Sequence, residues 1–110
     1  MDRKAQLKRE LSRATKKLIR EYRPERVILF GSLASGQVHR WSDIDLVVIK
    51  KTRRRFLDRI EDALRVIDSP VGLNVVVYTP REVTSMEARD HYFWVDEIVK
   101  KGHVLYDRHA

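Results

Sequence analysis

Asp43 and Asp45 stand two residues apart at the head of an apolar run, Ile44-Asp45-Leu46-Val47-Val48-Ile49. Alternate residues of a strand face the same side, so an extended chain here aims both carboxylates one way. Like charges held that close repel and raise each other's pKa unless a cation sits between them. Hard oxygen donors at the mouth of a sheet suit Mg2+ or Mn2+, which keep several waters and accept substrate phosphate oxygens as further ligands. An Asp-x-Asp alone more often closes a turn or caps a helix. Here it has a companion, Gly31-Ser32, with ten residues between Ser32 and Asp43. Glycine lets backbone approach a ligand, serine offers a hydroxyl, and a short helix beginning there would turn free N–H groups towards an anion. Gly-Ser by itself marks many ordinary turns. Beside an aspartate pair it supplies the other half of a metal–triphosphate site.

The elements that must bring these residues together follow from hydrophobic spacing. Leu7, Leu11, Ala14, Leu18, Ile19 and Tyr22 form a helical stripe over residues 2–22, ended by Pro24. Val27 to Phe30 reads as a buried strand stopped by Gly31, and Ile44 to Ile49 as a second. Phe56, Leu57, Ile60, Ala63, Leu64 and Ile67 space as a helix that stops near Ser69-Pro70, and Leu73 to Tyr78 is a third strand. Thr79-Pro80-Arg81-Glu82 is a helix start with a capping box. Helical pattern then runs, with a break near Asp90, to a C-terminal cap at Gly102, and Val104 to Tyr106 forms a last strand.

The expected fold class is therefore α/β (α+β): one domain over residues 1–110, a small mixed β-sheet flanked by helices. A helical crossover makes the second and third strands parallel, and the loop between the first two leaves an antiparallel pairing open to them. That arrangement gathers the end of the first strand and the starts of the second and third at one edge.

Composition narrows the class. No apolar run approaches the roughly 18 residues a membrane span needs, no apolar leader precedes the first helix, and the chain has no cysteine, which removes disulfides, thiolate zinc sites and a Cys nucleophile. A cytoplasmic protein is expected. Of the net charge of +7, residues 1–26 carry +6. Such charge favours any polyanion without regard to sequence, and no nucleic-acid motif accompanies it. Sequence-specific nucleic-acid recognition is not expected.

Phe30-Gly31-Ser32-Leu33-Ala34-Ser35-Gly36, the ten-residue spacing, and Ser42-Asp43-Ile44-Asp45-Leu46-Val47-Val48 together resemble the signature of minimal nucleotidyltransferases of the DNA polymerase β superfamily. Val75-Val76-Val77-Tyr78-Thr79-Pro80-Arg81-Glu82 and Val104-Leu105-Tyr106 extend the likeness over nearly the whole chain. The resemblance implies a palm-like nucleotidyltransferase fold in which Gly31, Ser32 and Ser42 hold the nucleotide while Asp43 and Asp45 bind Mg2+. It implies transfer of a nucleoside monophosphate, AMP from ATP, to a hydroxyl. It also implies a partner, since such small chains resemble the antitoxin half of toxin–antitoxin pairs whose other half is an all-helical HEPN-type protein. Self-association stays open.

One position departs from the family. A third carboxylate is expected near the start of the third strand, where this chain has Asn74, its single asparagine. An amide can lend a neutral oxygen to a metal but cannot act as a base at neutral pH. Asn74 is thus the third candidate catalytic position, and three explanations stand: weakened chemistry, a shifted register, or a carboxylate supplied by Glu82 or by the partner. An alternative function follows, a binding module that neutralises a HEPN-type partner by contact alone. In the loop before Asp43, Arg40 could pair with phosphate and Trp41 could stack on a base or pack locally. His91, His103 and His109 show no metal-ligand spacing. Tyr92-Phe93-Trp94-Val95 is read as mainly core, with one edge free to meet a partner.

Overall fold

The computed structural model describes residues 2–110. Helix α1 (Arg3–Lys17) starts at an Asp2 N-cap and continues as a π-helical turn through Leu18–Tyr22, closed by an Arg23 N–H to Leu18 carbonyl bond of 2.9 Å. The widened turn puts both Leu18 and Tyr22 in the core, and Arg23, in a left-handed conformation, ends the helix before Pro24. Strand β1 (Arg26–Phe30) leads into the short helix α2 (Gly31–Ser35), then β2 (Ile44–Ile49), α3 (Phe56–Ile67) and β3 (Leu73–Tyr78). Helix α4 (Pro80–Ala88) begins with the complete Thr79/Glu82 capping box. The break expected near Asp90 is there, with Asp90 at φ 49°, and a π-helical segment, α5 (Phe93–Lys100), follows before β4 (His103–Asp107). No helix among the described residues is long and apolar enough to cross a membrane.

The sheet order is β3-β2-β1-β4, with β1 antiparallel to both β2 and β4, and β2 parallel to β3. Alternation along the strands divides the core in two. Val27, Leu29, Ile44, Leu46, Val48, Val75 and Val77 face α1 and α3, where Leu7, Ala14, Leu18, Ala63 and Ile67 meet them. Ile28, Val47 and Ile49 face the other way, against Val83 and Met86 of α4 and Trp94 and Ile98 of α5. Tyr92-Phe93-Trp94-Val95 resolves accordingly: Trp94 is buried, Phe93 and Val95 pack at the margin, and Tyr92 is exposed and bonds to Glu97. Polar ties fasten the layers. Arg13 reaches from α1 to the Ile67 carbonyl at the end of α3 while pairing with the buried Glu10, and that pairing holds the Glu10 carboxyl below its ordinary pKa.

Helix α5 ends at Gly102 as expected, the Gly102 N–H donating to the Ile98 carbonyl at 2.9 Å, and the same residue is the point where α5 meets β1. A Cβ there would run into the Ile98 carbonyl and lie 2.9 Å from Ile28 Cγ2 and 3.1 Å from the Leu29 carbonyl. Two of these three obstacles are backbone and cannot rotate aside. Gly102→Ala is expected to lower the urea midpoint by the equivalent of about 1–3 kcal/mol, the usual cost of overpacking. An unchanged midpoint would mean that α5 and β1 can separate freely.

Candidate active site

The parity of β2 carries Asp45 to the face covered by α4 and α5, at the end those helices leave open. In the sheet register Phe30 lies opposite Asp45, and Asp45 opposite Asn74, so one row crosses three strands. The register leaves no shift that would bring a carboxylate to the Asn74 position. Glu82 belongs elsewhere: it starts α4 beyond the far end of β3 and pairs with Arg59 at 2.7 Å. That alternative source of a third carboxylate within this chain is therefore removed, because Leu73–Tyr78 separates the two ends.

Close backbone approach explains both glycines of the site. Gly31, at φ +75°, opens α2 directly against Asp45, and a Cβ on it would collide with Asp45 Oδ2. Gly72, just before β3, lies against Asp43 in the same way, and its carbonyl accepts from the Ile44 amide at 3.0 Å. Each carboxylate thus has glycine backbone where a side chain would fill the space. Ser32 follows Gly31 in the first turn of α2, where backbone amides lack intrahelical partners. Ser42 is buried, and its hydroxyl accepts the His39 N–H at 3.0 Å while its amide donates to the His39 carbonyl at 2.9 Å. It shapes the turn that delivers Asp43. Trp41 does not pack against the domain: it is 74% exposed, with Arg40 over its ring at 4.8 Å.

A residue that sequence spacing passed over completes this edge. Arg3, from the first turn of α1, donates through Nε (3.1 Å) and Nη2 (2.7 Å) to the Ser42 carbonyl and lies 3.8 Å from Asp43 Oδ1. It was one of ten basic residues in the N-terminal segment, and only the packing of α1 across the sheet singles it out.

The electrostatics are those of an anionic pair short of a counter-charge. Burial pushes the Asp45 carboxyl above its ordinary pKa, the hydrogen bond from Asn74 Nδ2 to Asp45 Oδ1 (2.9 Å) pulls it partly back, and the charge of Asp43 adds to the rise. Among the described residues no group of three or more His, Asp, Glu or Cys side chains could hold a metal. Two carboxylates, hard oxygen donors, do fit a divalent cation that takes its remaining oxygens from water and phosphate. Asp43 and Asp45 are the residues that would hold it. Asn74 spends its amide N–H on Asp45.

The family described as "Polymerase beta, Nucleotidyltransferase" matches residues 13–110, and the chain belongs to it. A Sulfolobus solfataricus protein assigned as a nucleotidyltransferase, solved at 1.40 Å, is similar with a TM-score of 0.67 at 19% identity, over 96% of this chain and 85% of that one. At that identity the likeness concerns the fold, a four-stranded mixed sheet flanked by helices. A toxin–antitoxin structure with AMP-PNP has a TM-score of 0.49 at 23% identity, over 86% of this chain and 71% of that one. No curated protein matches the sequence.

Because its pKa is raised in the fold, an ionised Asp45 opposes folding. The folded protein binds this proton more readily than the unfolded chain, so stability falls as pH rises through the window between the ordinary aspartate value and the raised one. Asp45→Asn is expected to raise the melting temperature at neutral pH, with an advantage that shrinks as pH drops through that window. Melting curves of both proteins from neutral to acid pH test it; a constant difference, or a loss of stability at neutral pH, would remove the charge explanation.

Proposed function

We propose that the open edge binds a nucleoside triphosphate together with Mg2+ and transfers its nucleoside monophosphate to a hydroxyl. The observation that carries this reading is the placing of Asp43 and Asp45 against glycine backbone, next to the first turn of α2. Gly31 and Ser32 would take phosphate oxygens through backbone and hydroxyl, and Ser42 acts by holding the turn. Asp43 and Asp45 would hold the cation, whose contribution when bound is to neutralise phosphate charge and lower the pKa of an attacking hydroxyl. In the reaction the acceptor oxygen bonds to the α-phosphorus, the bond to the β-phosphate breaks, pyrophosphate leaves, and the hydroxyl proton passes to water or to a carboxylate. ATP is the nucleotide, and the acceptor is a hydroxyl on a helical HEPN-type partner protein, as in the antitoxin half of a toxin–antitoxin pair. A cytoplasmic location goes with that role.

A second reading has its own observation. Asn74 cannot accept the hydroxyl's proton, and its amide N–H is bound to Asp45. On this reading the chain binds nucleotide and neutralises its partner by contact, with little transfer. The two readings share the binding site and differ in turnover.

Asp43→Ala and Asp45→Ala are each expected to abolish the Mg2+-dependent part of ATP affinity and leave the fold intact, since either change relieves like-charge repulsion. Calorimetric titration of ATP with and without Mg2+ checks this, and undiminished affinity in both variants would dismiss the site. Asn74→Asp is expected to raise the rate of AMP transfer to the partner by on the order of tenfold or more, ~1.4 kcal/mol of transition-state stabilisation for each factor of ten. A labelled-ATP assay decides between the readings: faster transfer supports a weakened enzyme, whereas brisk wild-type turnover that Asn74→Asp slows would show that the third position needs no carboxylate.

A further inference from the structure

A wide cleft lies away from the carboxylate edge. It has a volume of about 880 Å3 and sits at the opposite end of the sheet, lined by Lys51, Arg53, Arg59, Arg81, Glu25 and Glu82, with Thr52 and Thr79 between them. Strand β2 (Ile44–Ile49) spans the interval, so the cleft is roughly 20 Å from Asp43 and Asp45 at about 3.3 Å per residue. No group at that distance reaches the reacting edge, and the cleft is a separate place on the protein.

Its lining has the character of an anion site. Arg59 is only 8% exposed and is held in position on three sides, by the Arg54 carbonyl (2.8 Å), the Val77 carbonyl (3.2 Å) and Glu82 (2.7 Å). A guanidinium fixed in this way loses little freedom when a ligand arrives. Lys51, Arg53 and Arg81 stand exposed at the rim and make no ion pair or hydrogen bond among the described residues, unlike neighbouring Arg54, which is spent on Asp62. Three unpaired cations converge on one concavity although carboxylates are plentiful elsewhere on the surface.

The carboxylates in the lining decide which anion fits. Glu25 and Glu82 would repel a continuous polyphosphate backbone laid along the cleft. Glu82 Oε1 is engaged by Arg59 and the Thr79 amide, and Glu25 Oε1 by His109. Each can still accept from a hydroxyl or amino group. We propose that this cleft binds a phosphorylated small molecule of nucleotide size, its phosphates on Lys51, Arg53, Arg59 and Arg81 and its hydroxyl- or amine-bearing part towards Glu25 and Glu82. The volume lies within the range of small-molecule sites, roughly 300–1,000 Å3. The distance from the aspartates makes the ligand an effector and not the triphosphate consumed at the other edge.

The test titrates the full chain with inorganic pyrophosphate and with ATP, with chelator present and no divalent cation, by calorimetry and by amide chemical-shift mapping. Expected is saturable one-to-one binding of either probe, with shifts at Thr52, Arg53 and Arg81, and affinity reduced about tenfold or more in Lys51→Gln/Arg53→Gln/Arg81→Gln. Lys16→Gln/Lys17→Gln, which removes charge from α1, should leave affinity unchanged. Shifts confined to Ser32 and Leu33, equal loss in both charge variants, or no saturable binding would overturn the proposal. So would binding only of a long oligonucleotide with a steep salt dependence, since that describes a polyelectrolyte patch. The Asp43 and Asp45 variants report on the other edge, so either site can fail without the other.

Discussion

Asp45 carries its carboxylate on β2 at the strand's open end, and burial makes ionising it costly there. Burial, with a smaller contribution from the charge of Asp43, raises the Asp45 pKa, and one neutral donor, Asn74, stands on the other side of the balance within the row. Around this tension the local structure is arranged. Gly31 and Gly72 bring backbone up to the carboxylates where any side chain would collide with them, and Arg3 crosses from α1 to hold the Ser42 carbonyl and sit near Asp43. Arg3 stands 3.8 Å from Asp43 Oδ1 and gives its two short hydrogen bonds to the Ser42 carbonyl, so its charge relieves the pair only weakly.

The rest of the sheet makes that edge rigid. Every inward residue from Leu46 to Ile49 is buried, on one face against α1 and α3 and on the other against α4 and α5. A slip of one residue would carry Asp45 into the α1 and α3 core and exchange the side chains fitted to the two faces. The same packing therefore fixes register, the aim of the aspartates and the distance to Asn74. Precision at the open end is inherited from apolar contacts further along the strand.

Hydrophobic period made the helices and strands legible in the sequence, because each strand is a short apolar block and α3 keeps an unbroken helical stripe. The Asp43, Asp45 and Gly31-Ser32 grouping was legible too, since strand parity and a helical crossover suffice to bring them to one edge. What spacing could not show depends on partners far apart in the chain. Arg3 bonds to a residue 39 positions away, and nothing in a basic helical face distinguishes it from Lys4 or Lys8. The helix end at Gly102 was legible, but its close approach to Ile28 was not, because that contact exists only once α5 lies on β1. The basic cleft joins the ends of β2 and β3 with the start of β1, segments that look in the sequence like unrelated charged loops.

Asn74 shows how stability and chemistry pull against each other at this edge. A third carboxylate in its place would add repulsion to a pair already short of counter-charge and would forfeit the hydrogen bond that now steadies Asp45. The amide keeps nearly the same shape and turns a repulsive neighbour into a donor, at the loss of a proton acceptor and an anionic ligand. The folded domain as it stands gains from the amide, whereas a carboxylate there would repay its cost only under the proposed reaction, with cation, nucleotide and acceptor all present. A chain whose main task is to hold nucleotide and partner would keep the amide. One selected for rapid transfer would accept the weaker resting state in exchange for a base.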